Sequence, residues 1–163
     1  RLGIVNVHYA PLPRYAGYWP ELWAIWNEEK EFAVTAHYVG EGIDDGDIIS
    51  QRWFKLEPLE TRKSLYMKST DNCYVMLCQL MPEILNGQIE TTPQNPQERT
   101  YYKKSLPEDG FLDLSWDQEK IERFIRAISF SGYPGPKIMI GQNTYTLFEG
   151  DYEFFRSVSN KRR

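Results

Sequence analysis

The hydrophobic pattern of this chain changes period several times, and each change marks a predicted element. Ile4, Val5 and Val7 form a β-branched run interrupted by Asn6 and followed by His8. Side chains alternate across a strand, so Asn6 and His8 project to the same face. Pro11 and Pro13 stop the run, which places both side chains where a buried strand opens into a loop. Pro20, tolerated in a first helical turn, starts a helix reaching about Asn27. Trp19, Trp23 and Trp26 recur at i, i+4 and i+7 on it, as a core stripe or partly as the wall of a pocket.

Further along, Phe32 to Val39 reads as a strand, and Asp47 to Phe54 as its return. From Thr61 to Leu85 a helical period carries Tyr66, Thr70, Cys73, Leu77, Leu80 and Ile84, with Asn86-Gly87 as the stop and Pro82 expected to kink the helix or end its regular part. Residues 91–98 form a polar, proline-bearing connection. An Asp109-Gly110 turn and a cap made by Ser115 with Gln118 lead into a helix over about 116–129, with Ile121, Phe124, Ile125 and Ile128 inward and Arg123 and Arg126 on the other side. Residues 137–148 read as a β-hairpin. Tyr152, Phe154 and Phe155 beyond it either close this small subdomain or form a dimer contact.

With 163 residues, 41% of them hydrophobic and 15% aromatic, the chain is long and apolar enough for a packed core. The net charge of −4 argues against a dedicated nucleic-acid face. No apolar run reaches the roughly 18 residues of a membrane span, so a soluble, cytoplasmic protein without a membrane partner is expected. Cys73 and Cys78 fall at i and i+5 of one helix, on different faces, and are expected as reduced thiols in the core or at its boundary. Two histidines, with neither an i, i+4 pair nor a Cys-x-x-Cys, leave nothing resembling a zinc site, and no metal is expected.

The candidate chemistry lies in Asn6, His8 and Asp44. Asp44 follows the second apolar run and is flanked by Gly42 and Gly46, which permit a tight turn. The three side-chain types suit acyl transfer to an amine. A neutral imidazole can take the proton of an attacking nitrogen, a carboxylate can orient it and stabilise its charged form, and an amide N–H can donate to the developing oxyanion. His37 shares a strand face with Thr35 and Val39, as a hydrogen-bonded structural histidine or a second base. Asp45 and Asp47 read as turn and strand-start residues. Arg99 to Lys104 is a compact basic and aromatic strip, either a solvated surface or a diphosphate contact through cations beside tyrosine hydroxyls.

Asn6-x-His8 followed by a Leu12-Pro13 loop, and then Ile43-Asp44-x-Gly46-Asp47-Ile48-Ile49, resembles the catalytic core of formyltransferases that use N10-formyltetrahydrofolate, most closely the sugar N-formyltransferases. The later Asp109-Gly110-x-x-Asp113 segment and Tyr133-Pro134-Gly135 are similar to the continuation found in sugar and tRNA formyltransferases. Ala10 stands where many relatives carry Ser, and Ala16 where they carry Arg before the glycine of the loop.

The resemblance implies an α/β fold: the C-terminal part of a Rossmann-like formyltransferase sheet over residues 1–98, then a small α+β extension over 99–163 ending in a hairpin. Relatives carry a nucleotide-fold half ahead of the Asn-x-His strand, and this sequence begins only a few residues before it. The resemblance further implies Asn6, His8 and Asp44 as the catalytic triad, and N10-formyltetrahydrofolate as co-substrate, near Gly40, Gly42, Ile43 and Asp47. It also implies a nucleotide-linked amino sugar, such as a dTDP-sugar of lipopolysaccharide O-antigen synthesis, met by Tyr9, Arg14, Tyr102, Lys103, Arg126 and Tyr133, in a homodimer. A methionyl-tRNA formyltransferase and a truncated, non-catalytic binding or assembly module are the competing expectations.

Overall fold

A computed structural model describes residues 3–147 of the chain as a mixed α/β fold. The aromatic tail from Phe148 onward, with Tyr152, Phe154 and Phe155, lies outside the described residues. The elements are β1 (Val5–His8), β2 (Ala16–Gly17), α1 (Pro20–Trp26), β3 (Glu31–Tyr38), β4 (Ile48–Lys55), α2 (Arg62–Asn86), β5 (Tyr101–Tyr102), α3 (Gln118–Ile128), β6 (Lys137–Ile140) and β7 (Asn143–Thr146).

Three strands form the main sheet in the order β1-β3-β4, with β3 antiparallel to both neighbours. β3 is buried from Phe32 to His37, as a run of apolar residues covered on both faces requires. Its register places Asn6 opposite His37 and His8 opposite Thr35. Among the described residues β1 pairs on one side only, so it is an edge strand here. On one side of the sheet, Val34 and Ala36 pack with Met76 and Leu80 of α2, and Val5 and Val7 join that cluster. The larger cluster joins Leu22 and Ile25 of α1, Phe32, Leu65, and Phe124 and Ile128 of α3 with Ile138 and Leu147.

Local chemistry accounts for the element ends. The Thr61 hydroxyl accepts the Ser64 N–H while the Ser64 side chain accepts the Thr61 N–H, a reciprocal cap at the start of α2. Gly87 ends α2 at φ 66°, a left-handed position favouring glycine. The helix continues through Pro82 to Asn86, so it does not end at the proline, and it stops at the expected Asn86-Gly87. Its inward residues are Leu65, Ser69, Met76 and Leu80, while Tyr66 and Thr70 from the expected stripe are exposed. Met67, Tyr74, Met81 and Leu85 make the outer face apolar as well, so periodicity alone cannot choose the buried side. Cys78 is exposed rather than at the core boundary, and Cys73 is half-buried.

The cap of α3 is Asp117, which accepts the Lys120 N–H at 2.8 Å; Ser115 instead donates its N–H to Asp113. The Asp-Gly turn is a tight left-handed turn, with Glu108, Asp109 and Gly110 all at positive φ. Arg123 and Arg126 do not point to open solvent. Arg123 pairs with Glu28 and lies over Trp26, and Arg126 donates to the Glu60 carbonyl at 2.7 Å.

The loop after β1 is pinned from below. The Thr35 hydroxyl, fully buried, donates to the Ala10 carbonyl at 2.6 Å and accepts the Leu12 N–H at 3.2 Å and Gln51 Nε2 at 3.0 Å. Gln51 Nε2 also donates to the Leu12 carbonyl at 2.6 Å. Thr35→Val keeps the shape and removes the hydroxyl, leaving these groups short of partners. A loss of about 1–3 kcal/mol is expected from urea unfolding of the full-length protein. Wild-type stability in that variant would show that the loop holds itself.

Candidate active site

The polar face of β1 meets the loop that follows β3, and four side chains converge there. His8 Nε2 lies 2.9 Å from the Tyr15 carbonyl. A carbonyl only accepts, so the Nε2 atom carries the proton and Nδ1 presents its lone pair. Nδ1 faces Asp44 Oδ2 at 3.7 Å. Burial holds the His8 pKa below 6.5, partly offset by the Asp44 charge and the Tyr15 carbonyl, with His37 and Arg99 adding to the lowering. The imidazole is therefore neutral near pH 7. Once protonated at Nδ1 it gains Asp44 as counter-ion.

Asp44 sits at φ 50°, left-handed for a non-glycine residue. Its Oδ2 accepts the Gly17 N–H at 2.9 Å, and its Oδ1 is 3.8 Å from His37 Nε2. The backbone on either side is braced by residues distant in sequence. Gln94 Nε2 donates to the carbonyls of Asp44 and Gly46 at 2.9 and 2.8 Å, and Arg99 donates to the carbonyls of Ile43 and Asp44. Within the turn, the Asp45 carboxylate accepts the Gly42 N–H at 2.9 Å. It lies so close that a Cβ on Gly40 or Gly42 would meet it at 2.4 Å.

His37 is 2% exposed and fully hydrogen-bonded. Its Nδ1–H donates to the Tyr38 carbonyl at 2.8 Å, leaving Nε2 to accept from Asn6 Nδ2 at 3.2 Å. That bond fixes the Asn6 amide with its NH2 inward, and one N–H remains for another acceptor. Asn6 thus presents a donor, His8 a base and Asp44 a carboxylate within one cluster, with His37 as the residue that orients Asn6. The parts that sequence reasoning missed are backbone groups and braces: the Tyr15 carbonyl, the Gly17 N–H, Gln94 and Arg99. Among the described residues, no three His, Cys, Asp or Glu side chains are grouped as ligands for a metal ion.

The other expected contacts are spread more widely. Gly40, Gly42, Ile43 and Asp47 are exposed on the rim around Asp44. Tyr9 follows His8 and packs on Tyr66 with ring centroids 5.5 Å apart. Tyr102 is stacked between Tyr15 and Trp23 at 5.3 and 4.6 Å, its hydroxyl accepting from Asn27. Lys103 is exposed just past β5. Arg14 pairs with Glu29 at 3.0 Å, and Arg14 and Arg126 line adjoining clefts that share Glu28, Glu29 and Lys30. The structure does not bring these two arginines to His8. Tyr133 packs on Trp19 and Phe130, at the start of α2.

The family model described as formyl transferase matches residues 1–81, and the chain belongs to this family. Among its relatives, the chain is 36% identical over 129 residues to methionyl-tRNA formyltransferase of Agathobacter rectalis, covering 79% of this chain and 42% of that protein. It is 35% identical over 135 residues to the bifunctional polymyxin resistance protein ArnA of Wigglesworthia glossinidia brevipalpis, covering 83% of this chain and 20% of that one. The N-formyltransferase from Helicobacter canadensis, solved with folinic acid and dTDP-3-aminofucose, superposes with a TM-score of 0.70 at 26% identity, over 85% of this chain and 51% of that one. The chain thus spans about half or less of the length of these relatives.

Proposed function

We propose that this chain carries the catalytic residues of an N-formyltransferase that moves a formyl group from N10-formyltetrahydrofolate to the amine of a nucleotide-linked amino sugar. The observation that carries the reading is the placement of His8, with Nε2 on the Tyr15 carbonyl and Nδ1 toward Asp44, beside the Asn6 amide. In the proposed reaction the substrate amine attacks the formyl carbon, and the carbonyl π electrons move onto oxygen. The free N–H of Asn6 donates to that oxyanion. His8 Nδ1 takes the proton of the attacking nitrogen, and the resulting imidazolium is stabilised by Asp44. Collapse of the tetrahedral adduct re-forms the carbonyl and breaks the bond to N10 of the folate, which leaves with the proton returned by the His8 imidazolium. Residues 1–98 form the catalytic part of this reading and 99–163 its extension.

A nucleotide-sugar acceptor is supported by the solved relative that holds dTDP-3-aminofucose and by the net charge of −4. Formylation of an aminoacyl-tRNA is the second reading, favoured by the 36% identity to a methionyl-tRNA formyltransferase. Parallel assays on the full-length protein with folate donor decide between them. Formylated dTDP-amino sugar as the product, with methionyl-tRNA unchanged, is expected. Product only from the tRNA would overturn the sugar reading, and product from neither would overturn formyl transfer.

A further inference from the structure

The first residue of α2, Arg62, is 4% exposed, yet among the described residues its guanidinium has neither a hydrogen bond nor a carboxylate at ion-pair distance. Its faces are covered instead by aromatic rings, with Phe130, Tyr133 and Trp19 centroids at 4.8, 5.2 and 5.3 Å. Stacking satisfies the faces of a guanidinium but not its five N–H donors, which lie in its plane and need acceptors. None of its nitrogens is among the fully buried polar atoms left without a partner, so the N–H edge of the guanidinium still reaches the surface and is open to an acceptor. The acidic group acting on it is Glu21, itself 7% exposed, whose carboxyl is pushed up by burial and held down in part by Arg62.

The cage is connected to the catalytic cluster from two directions. A succession of ring contacts runs from Tyr9, next to His8, through Tyr66 at 5.5 Å to Phe130 at 5.7 Å and Tyr133 at 5.6 Å. From the other direction, Trp19 lies two residues beyond Gly17, whose N–H holds the Asp44 carboxylate. Tyr133, 49% exposed, forms the open rim. A cation at the end of an aromatic wall that begins beside the catalytic strand suits a ligand with a flat ring and an anionic group.

We propose that Arg62 is an oxyanion receptor for one of the two substrates, binding either a phosphate of the nucleotide or a carboxylate of the folate through its in-plane N–H groups. This rests on the formyl-transfer reading only for the choice of probes. Calorimetry on the full-length protein with dTDP, folinic acid and, as the uncharged control, thymidine reads it directly. Arg62→Met, which keeps the packing and removes the charge, is expected to weaken one of the two anions at least about tenfold, or roughly 1.4 kcal/mol, and to leave thymidine unchanged. A loss confined to dTDP identifies the phosphate, and a loss confined to folinic acid the carboxylate. Equal affinities of both anions for Arg62→Met and wild type would overturn the proposal.

Two milder variants keep the test decisive where Arg62→Met fails to fold. Arg62→Lys should lose part of the affinity, because a point charge replaces the planar fork. Glu21→Gln should bind the same anion more tightly, because it removes the competing negative charge. A purely structural Arg62 predicts no tightening, and wild-type binding by both variants would overturn the assignment. Anion binding through Arg62 without any formyl product would refute the functional reading alone.

Discussion

Replacing His8 by Ala in the full-length protein is expected to lower the rate of formyl transfer by roughly 100- to 10,000-fold, the usual contribution of a positioned acid or base. The loss should fall on kcat, because Nδ1 accepts its proton only as the amine becomes bonded to the formyl carbon. Single-turnover measurements with saturating donor separate this from binding. The pH profile carries the second signature. Burial lowers the His8 pKa from 6.5, so the base form persists below that pH, and the acid limb of the rate should lie below 6.5. The same shift affects stability. Above pH 6.5 His8 is neutral in both folded and unfolded states; as the pH falls below 6.5 the unfolded chain takes up its proton first, and stability declines until the lowered folded pKa is passed. Wild-type turnover by His8→Ala would remove His8 from the mechanism.

Gly46→Ala should be nearly as damaging, although Gly46 supplies no side chain. A Cβ at this position would stand 1.9 Å from the Tyr38 carbonyl oxygen and 2.7 Å from its carbon, both of them backbone atoms of β3. Either the strand or the turn must move, and Asp44 is only two residues away. Overpacking of this kind costs about 1–3 kcal/mol. A displacement of the carboxylate by about 1 Å can cost on the order of 100-fold in rate. Thermal unfolding and kcat should therefore fall together. Gly87→Ala serves as the control, because a Cβ there meets nothing within 4 Å; its strain is confined to the left-handed cap of α2. Full activity in Gly46→Ala would mean that the turn can relocate without moving Asp44.

The elements that could be read from the residues are those where local and long-range preferences agree. Pro11 and Pro13 end β1, Thr61 and Gly87 bound α2, and the apolar run from Phe32 can only be a covered strand. The side of α2 that faces the core could not be read, because Tyr66 and Leu65 satisfy the same spacing and packing alone selects Leu65. The cap of α3 moved from Ser115 to Asp117 because both residue types can cap, and the Asp113 carboxylate engages the Ser115 N–H. In the candidate site, Asn6, His8 and Asp44 were legible as chemistry. The groups that aim them are backbone atoms of Tyr15 and Gly17 and the side chains of Gln94 and Arg99, as many as 56 residues from their partners. Nothing in a local pattern signals bonds of that span.

The edge position of β1 makes this sheet a candidate for split-enzyme complementation. Asn6 and His8 are held laterally by β3 alone among the described residues, and the outer N–H and C=O row of their strand stands open to another strand. Such an open edge favours pairing with another chain, and sedimentation of residues 1–163 is expected to show self-association. When supplied with a separately expressed polypeptide that pairs along β1, they should instead form a defined two-chain assembly, in which catalytic competence reports strand docking. The same openness makes amide hydrogen exchange along β1 a sensitive gauge of whether that docking has occurred.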